Sequence, residues 1–296
     1  MATGVMTTDF EIAGLRLRIE TESSSLRDDV AARFASYEAP ADGRPPDAVM
    51  EMVDRGERWQ TARPYGAAFP EAEARFIDGV YQVWRKEFEG EIALGEPVRS
   101  RFQVAGGGLA FETPVRLVMT LCGAGRETLF LHASGALFGG RALVFTAKSG
   151  GGKTTLLSLL PEQTPLSDEV VGLARRPGDP ADGGWIALST PFTGGPTPAR
   201  SVSGPLDAIC FLRKGATNFV EPADRRTAFR RLLRNTLAYI ADPGTAGSLL
   251  ATVDSLSRSV SLLELEFAKS SDIGRYLRGL ADTAGRPGSL VSGAPA

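Results

Sequence analysis

The segment that most constrains the fold of this chain is the eight-residue run at positions 147–154, AKSGGGKT. An apolar run, ALVF at positions 142–145, precedes it, and LLSLL at 156–160 follows it. The apolar run is typical of a buried β-strand, and the second run predicts a helix that ends near Pro161, because proline cannot continue the helical hydrogen bonds. The segment therefore predicts a strand, a tight glycine-rich turn and a helix in direct succession.

Each position of this pattern has a physical role in binding a phosphate chain. The turn residues Ser149, Gly150, Gly151 and Gly152 direct backbone N–H groups into one concavity, and the helix start adds further N–H groups. Lys153 places a positive charge on the β- and γ-phosphates, and the adjoining hydroxyls belong to Thr154, the expected magnesium ligand, and Thr155. The pattern predicts binding of ATP with Mg²⁺, although Ala147 stands where the strict form has glycine.

A dinucleotide-binding loop is the alternative interpretation of a glycine-rich turn after a strand. That pattern has no place for the lysine and threonine at 153–154, and no ribose-binding acid follows at the required distance. The chain also lacks the Asn-Lys-x-Asp motif of GTPases and the Leu-Ser-Gly-Gly-Gln segment of transporter ATPases. No base-reading motif distinguishes ATP from GTP.

The pattern of elements predicts an α/β fold in which a mixed sheet carries the loop. The character of the chain changes at Thr128, where β-rich apolar runs begin. We expect an N-terminal α+β domain over residues 1–127, a catalytic domain over 128–285 and a flexible tail over 286–296. The N-terminal domain is expected to provide substrate recognition or the subunit contacts of a homo-oligomer.

Composition excludes several classes of partner. The formal net charge of −2 gives no electrostatic support for a nucleic-acid partner. No uninterrupted apolar stretch approaches the roughly 20 residues that cross a bilayer, and no secretion signal is visible, so we expect a cytoplasmic protein without a membrane partner. The two cysteines, Cys122 and Cys210, lie in apolar surroundings and are expected to be buried free thiols.

An acidic pair, Asp168-Glu169, follows the loop lysine by 15 residues, within the run PLSDEVVGLA at 165–174, which predicts a strand. A carboxylate at this place can hold magnesium or accept a proton from an attacking hydroxyl. A solvated acidic turn after Pro165 is the alternative, and the nearby loop favours the functional interpretation.

Three segments together resemble a known family: LHASG at 131–135, GRALVFTAKSGGGKTTLLSLL at 140–160 and LSDE at 166–169. They resemble the HPr kinase/phosphorylase superfamily, and more narrowly the HPr-kinase-related proteins found near peptide-modification genes. The resemblance covers about residues 128 to 215. It implies a catalytic domain akin to that of ATP-type phosphoenolpyruvate carboxykinase.

The resemblance also implies roles for individual residues. It makes Lys153 and Thr154 the phosphate and magnesium ligands, Asp168 the catalytic base and Glu169 a second metal ligand, since Glu169 stands where the family has an aspartate. His132 would lie beside the active site, where an imidazole suits proton handling. A packed, hydrogen-bonded core histidine is the alternative.

The resemblance departs from HPr kinases proper in two places. Thr154-Thr155 replaces the Ser-Glu that follows their loop lysine, and their downstream glycine-rich segment is missing. The implied acceptor is therefore a serine of a precursor peptide or small protein, with a peptide-carrier protein as a further hypothetical partner.

Other basic and aromatic residues allow two interpretations each. Arg200 and Lys214 are candidates for transition-state or phosphate contacts, or else ordinary surface charges. Residues 225–240 predict an amphipathic helix whose apolar side is formed by Phe229, Leu232, Leu233, Leu237 and Ile240. The opposite side carries Arg226, Arg230 and Arg234. These arginines are either a docking face for an acidic peptide or a solvated helix surface. Tyr81, Trp84 and Trp185 are interpreted as packing residues.

The sequence predicts a kinase that transfers the γ-phosphoryl group of ATP to a hydroxyl. Two alternatives stay open: a nucleotide-sensing module without catalysis, and a kinase that acts on a small molecule.

Overall fold

A computed structural model describes residues 4–64, 72–108, 110–148, 150–176, 184–194, 200–269 and 272–284. The described residues form a mixed α/β protein with two mixed β-sheets. The chain divides into two compact units: unit 1 comprises Met1–Glu127 and Ala238–Leu249, and unit 2 comprises Thr128–Leu237 and Leu250–Ala296. Residues 238–249 thus group with unit 1, although the sequence analysis assigned them to the catalytic domain.

The first sheet, with seven strands in the described residues, belongs to unit 1 and has the order β1-β2-β3-β7-β6-β5-β4. The β2–β3 and β3–β7 pairs are parallel and the others are antiparallel. The elements of this part of the chain are β1 (Met6–Ile12), β2 (Leu15–Thr21), α1 (Ser24–Phe34), a 3₁₀ turn (Ala35–Tyr37), β3 (Ala48–Asp54), β4 (Glu73–Ile77), β5 (Val80–Arg85), β6 (Phe88–Ala93), β7 (Val98–Val104) and α2 (Glu112–Ala124).

Helix α1 shows how the sequence pattern becomes packing in unit 1. Ser23 is its N-cap, and its hydroxyl accepts a hydrogen bond from the backbone N–H of Leu26 at 3.2 Å. Apolar side chains at four-residue spacing, Leu26, Val30 and Phe34, are buried. The Phe34 ring meets Phe10 edge-to-face at a centroid distance of 5.4 Å, which anchors the helix to β1.

The second sheet belongs to unit 2 and has nine strands in the described residues. Seven follow the order β11-β9-β10-β14-β13-β12-β8, and β16 pairs with both β14 and β15. The elements from Thr128 onward are β8 (Thr128–His132), β9 (Ser134–Phe138), β10 (Arg141–Thr146), α3 (Lys153–Ser158), β11 (Thr164–Ser167), β12 (Val170–Arg175), β13 (Trp185–Leu188), β14 (Ser203–Lys214), β15 (Phe219–Pro222), α4 (Arg225–Asn235), α5 (Pro243–Ser259), β16 (Ser261–Phe267) and α6 (Ile273–Ala284).

Strand directions bring several strand ends to one edge of this sheet. Strands β10, β14 and β16 are mutually parallel, so Thr146, Lys214 and Phe267 end at the same edge. Strand β9 is antiparallel to both β10 and β11, so β11 also runs toward that edge and ends there at Ser167. Side chains that follow these four strands therefore lie close together.

The core beneath this edge lies between the sheet and helices α3 and α6. It contains buried apolar side chains from the central strands and from both helices: Leu143, Phe145, Leu156, Leu265, Ile273 and Leu277. Burial of apolar surface contributes about 25 cal/mol of stabilisation per Å², and this packing benefits from it. The glycine-rich loop, residues 147–154, thus emerges from a close-packed base.

Two expectations about the elements of unit 2 are wrong. The predicted strand over residues 165–174 is two strands, because the chain turns at Asp168 and Glu169. The helix predicted through Ile240 ends at Asn235, because Thr236 is extended and the N–H of Leu237 donates to the carbonyl of Phe130 on β8 at 2.7 Å. The helix buries Ala228 and Leu232, while Phe229 and Leu233 are half-buried and Leu237 and Ile240 lie beyond its end.

The aromatic residues interpreted as packing residues are buried: Tyr81, Trp84 and Trp185 are 0%, 5% and 1% exposed. Both cysteines are buried free thiols, as expected. The expected tail, 286–296, lies outside the described residues. None of the helices in the described ranges is both long enough and apolar enough to span a membrane.

Candidate functional site

The glycine-rich loop leaves the end of β10 and leads into α3, which is only six residues long. Two of its glycines have backbone angles that other residues rarely adopt, with φ of +72° at Gly150 and +103° at Gly152. Ser149, a predicted ligand of the nucleotide, lies outside the described residues. The local order of strand, loop and helix is the order expected from the sequence.

Space rather than backbone angle requires glycine at position 151. The N–H of Gly151 donates to the carbonyl of Lys148 at 2.8 Å, which closes the turn. A Cβ atom at Gly151 would lie 2.4 Å from the Cβ of Ala147 and 2.7 Å from the carbonyl oxygen of Lys148. Ala147, the departure from the strict pattern, is itself buried and fits here because its partner across the turn has no side chain.

Lys153, the first residue of α3, turns its side chain back toward the sheet. Its Nζ lies 3.1 Å from Nε2 of His132 and 3.3 Å from the carbonyl oxygen of Ala147. Partial burial lowers the pKa of Lys153, and the charge of Glu169 acts in the opposite direction. The ammonium group is thus held at the edge of the sheet in a partly desolvated place.

His132 reaches Lys153 because β8 ends there. The residue is half-buried, its backbone pairs with Val170 of β12, and its carbonyl oxygen accepts a hydrogen bond from the hydroxyl of Thr146 at 3.4 Å. Of the two interpretations from sequence, the structure favours a histidine beside the loop over one sealed in the core.

Asp168 and Glu169 form the turn between β11 and β12. The buried hydroxyl of Ser167 shapes this turn by accepting from the N–H groups of Glu169 at 3.2 Å and Val170 at 3.1 Å. The N–H of Ala133 donates to the carbonyl oxygen of Glu169 at 3.0 Å, which ties the turn to the residue after His132. The acidic pair is therefore fixed next to the end of β8.

Gly194 lies against both carboxylates of the acidic pair. Its N–H donates to Oδ1 of Asp168 at 3.1 Å, and a Cβ atom placed there would lie 3.2 Å from Oε2 of Glu169 and 3.8 Å from Oδ2 of Asp168. The absence of a side chain leaves room beside two carboxylates. The role of Gly194 could not be predicted, because nothing in its local sequence shows that the chain returns to the acidic pair.

The remaining predicted site residues lie around this group. Thr154 is exposed and Thr155 is half-buried, both in the first turn of α3. Arg200 is exposed and precedes β14. In the ladder between β13 and β14, Leu188 pairs with Ser203, and the N–H of Ser189 donates to the carbonyl of Val202 at 2.9 Å. Arg200 therefore lies at the same end of the sheet as Glu169, which precedes β12.

The donor groups near the acidic pair fit a magnesium ion. Mg²⁺ prefers oxygen ligands and is usually held by one or two carboxylates together with water and substrate phosphates. The carboxylates of Asp168 and Glu169 are such ligands, and Gly194 leaves space beside them. In the described ranges no group of three or more His, Cys, Asp or Glu side chains could hold a metal, so a protein cage of that kind is not the arrangement here.

A cavity of about 560 Å³ lies between the loop, the end of β14 and α4. It contains Lys214, a predicted phosphate contact, and basic or polar side chains that the sequence could not place together. Its lining comprises Thr146, Ala147, Lys148, Gly150, Gly151, Leu212, Lys214, Arg231, Arg234 and Asn235. The parallel pairing of β10 with β14 explains the position of Lys214, because both strands end at this edge.

Comparison with models of known protein families found no match, and a search of curated proteins found no similar sequence.

Proposed function

We propose that this protein is a kinase, related to the HPr kinase/phosphorylase superfamily, that transfers the γ-phosphoryl group of ATP to a serine hydroxyl of a peptide or small protein. One observation carries the proposal: the Nζ of Lys153 lies 3.1 Å from His132 at the edge of the sheet where the Asp168-Glu169 turn also lies. A strand, a glycine-rich loop, a loop lysine and an acidic pair thus meet at one edge.

Binding of the triphosphate is assigned to the loop and Lys153. The loop glycines allow close approach of phosphate oxygens to the backbone. Burial disfavours the ammonium form of Lys153, so a phosphate group that approaches it stabilises the ammonium form by adding to the negative charge of Glu169. The resulting charge-assisted contact is shorter and stronger than a neutral hydrogen bond.

The loop lysine is oriented by His132. Because a protonated lysine has no acceptor, the contact at 3.1 Å requires Nε2 of His132 to accept, which assigns the ring proton to Nδ1. In this state His132 is a positioning residue that holds the ammonium group at the end of β10. This role replaces the proton-handling role that the resemblance suggested.

Asp168 is assigned as the base. The N–H of Gly194 orients one of its carboxylate oxygens, at 3.1 Å, and the other oxygen remains available to the acceptor hydroxyl. The acceptor oxygen forms a bond to the γ-phosphorus, the bond from that phosphorus to the oxygen bridging to the β-phosphate breaks, and ADP leaves. The hydroxyl proton passes to Asp168, so charge and atoms balance.

Thr154, Asp168 and Glu169 are the residues that would hold magnesium. When bound, Mg²⁺ neutralises phosphate charge and aligns the β- and γ-phosphates. The exposed Arg200, on the side of the ladder where Glu169 lies, is proposed as a further contact to the transferred group.

The test is phosphate incorporation from γ-labelled ATP into serine peptides, together with calorimetric titration of magnesium–ATP. We expect the wild type to bind nucleotide and to transfer phosphate. Asp168→Asn keeps an oxygen for the N–H of Gly194, so it should retain nucleotide and lose transfer at least about a hundredfold. A wild type that binds ATP but transfers nothing to peptides or small hydroxyl compounds would be a nucleotide sensor and would contradict the kinase proposal.

A further inference from the structure

Three arginines on α4 form one exposed row, Arg226, Arg230 and Arg234, which we call the α4 arginine row. Four residues are slightly more than one helical turn, so the guanidinium groups follow one side of the helix over about 12 Å. The spacing was visible in the sequence, but the place where the row ends was not.

The row ends at the cavity beside the glycine-rich loop. Arg234 lines this cavity together with Lys148 of the loop and Lys214 at the end of β14. Arg226 and Arg230 are not in its lining and extend the positive surface away from it along the helix. A continuous line of positive charge thus leads from solvent to the loop.

These cations form no ion pairs within the part of the chain that the structure describes, although the charge of Asp224 acts on Arg226. None of the row's arginines, Lys148 or Lys214 forms an ion pair there, and no acidic side chain lines the cavity. The fourth cation of the lining, Arg231, differs because it pairs with Glu264 and stacks on Phe211 at 4.3 Å. Arg231 is therefore part of the wall, whereas the other cations are available to an anion.

The lining of the cavity includes neither Lys153 nor His132 nor the acidic pair. The Nζ of Lys153 is turned toward His132, and Asp168 and Glu169 follow β11 and precede β12. The cavity is lined by the first part of the loop, by β14 and by α4, and Lys153 and Thr154 are not among its residues. An anion in the cavity would thus contact other side chains than the phosphate proposed beside Lys153, with Thr146 between the two places, since its hydroxyl donates to the carbonyl of His132.

The geometry points to docking of an acidic segment of the acceptor peptide, with carboxylates along the α4 arginine row and one end in the cavity beside the loop. A compact anion would occupy the cavity alone and leave Arg226 and Arg230 unused, whereas an extended acidic chain meets all three arginines. Arginine forks bind carboxylates through two parallel hydrogen bonds. The identity of the peptide as acceptor rests on the proposed function; the docking surface itself does not.

Binding is tested without catalysis, on the full chain and without nucleotide. The probe is a fluorescein-labelled peptide of glutamate and glycine with alanine in place of the acceptor serine, and its matched control has glutamine in place of every glutamate. We expect fluorescence anisotropy to show salt-sensitive binding of the acidic peptide and at least about tenfold weaker binding of the control.

Variants identify the surface. Arg230→Gln combined with Arg234→Gln should weaken binding of the acidic peptide about tenfold or more, whereas Arg225→Gln, on another side of the same helix, should leave it unchanged. The charge reversal Arg230→Glu with Arg234→Glu should prefer a peptide with lysine in place of glutamate, which loss of folding does not produce. Circular dichroism and thermal melting check that each variant is folded.

Three results would overturn the inference: equal binding of the acidic and glutamine peptides, unchanged binding in the Arg230/Arg234 variants, or displacement of the peptide by magnesium–ATP, which would assign the cavity to the nucleotide. Failure of the kinase proposal is separate. A protein that binds the acidic peptide but transfers no phosphate loses its proposed reaction and keeps this surface. One that transfers phosphate but binds the acidic and glutamine peptides equally loses the surface and keeps the reaction.

Discussion

The Nζ of Lys153 lies 3.1 Å from Nε2 of His132, so the only histidine of the chain contacts the lysine of its glycine-rich loop. The contact joins the start of α3, which follows β10, to the end of β8, and β8 and β10 are not neighbours in the sheet order. It orients a cationic group without neutralising it, because an imidazole that accepts from lysine is itself uncharged.

Removal of the lysine charge should weaken nucleotide binding strongly. We expect Lys153→Met to weaken binding of magnesium–ATP by about a hundredfold, since a charge-assisted contact of this kind contributes about 1.5–3 kcal/mol. Calorimetric titration measures the change. Lys86→Met, which removes an exposed lysine of unit 1, is the control and should bind as the wild type does.

Nucleotide affinity should fall as pH rises through the lowered pKa of Lys153. In the free protein, Lys153 loses its proton at a pH below the usual lysine pKa of 10.5, because burial disfavours the ammonium form. Phosphate binds the protonated lysine more tightly than the neutral one. Binding should then be accompanied by proton uptake, seen in titrations in buffers of different ionisation enthalpy. A pH dependence that persists in Lys153→Gln would show that another group is responsible.

The two glycines before position 152 should respond differently to alanine. A Cβ at Gly151 meets Ala147 and the backbone of Lys148, so Gly151→Ala should distort the loop and remove nucleotide binding. A Cβ at Gly150 meets nothing within 4 Å, and only the positive φ opposes it, at about 1 kcal/mol. Nucleotide titration of both variants should therefore show a much smaller loss for Gly150→Ala.

A buried pair in unit 1 should contribute measurably to stability. The hydroxyl of Tyr81 donates to Oδ2 of Asp242, and Oδ1 of Asp242 accepts from the N–H of Thr245 at 2.9 Å. Burial acts to raise the pKa of Asp242, but these hydrogen bonds outweigh it and the pKa is lowered. Tyr81→Phe should reduce the free energy of unfolding by about 1–3 kcal/mol in urea titrations at neutral pH.

The pH dependence of that difference is the check on its cause. A lowered carboxyl pKa stabilises the folded state above the unfolded value of 3.8 and loses this contribution as pH falls through the folded value. The difference between wild type and Tyr81→Phe should shrink in that acid range. A constant difference would indicate lost packing rather than the hydrogen bond to Asp242.

Both thiols should be unreactive in the folded protein. Burial raises the pKa of Cys122 to about 11 and that of Cys210 to about 12, so almost no thiolate forms at neutral pH. We expect alkylation by iodoacetamide only after unfolding, as measured by mass spectrometry. Rapid modification of the folded protein would contradict the burial of these side chains.

Local features of the site could be predicted from the sequence, because local chemistry determines them. The glycines at 150–152 and the lysine that begins a helix form a continuous pattern, and the acidic pair at 168–169 follows the loop closely in sequence. The prediction of one strand over 165–174 was wrong, because the apolar residues VVGLA gave no sign of a chain reversal before them. The hydroxyl of Ser167 forms this turn by accepting two backbone hydrogen bonds.

Features that depend on strand register could not be predicted. Gly194 reaches Asp168, and Lys214 comes to lie beside the glycine-rich loop, only through the pairing of distant strands. The end of α4 at Asn235 has the same origin, since Leu237 pairs with Phe130 of β8 and so draws the chain away from the helix. Helical periodicity continues past this point in the sequence, and tertiary contacts override it.

The last residue of β16 has a consequence for how this loop could be reused. A Cβ at Gly152 would lie 2.8 Å from the ring of Phe267, so an aromatic side chain from a late strand presses on a residue encoded much earlier. The conformation of the loop therefore depends on residues outside it. If the same eight residues were grafted into another protein without an equivalent of Phe267, they would lack the ring against which Gly152 packs. A graft would therefore need to include β16 as well.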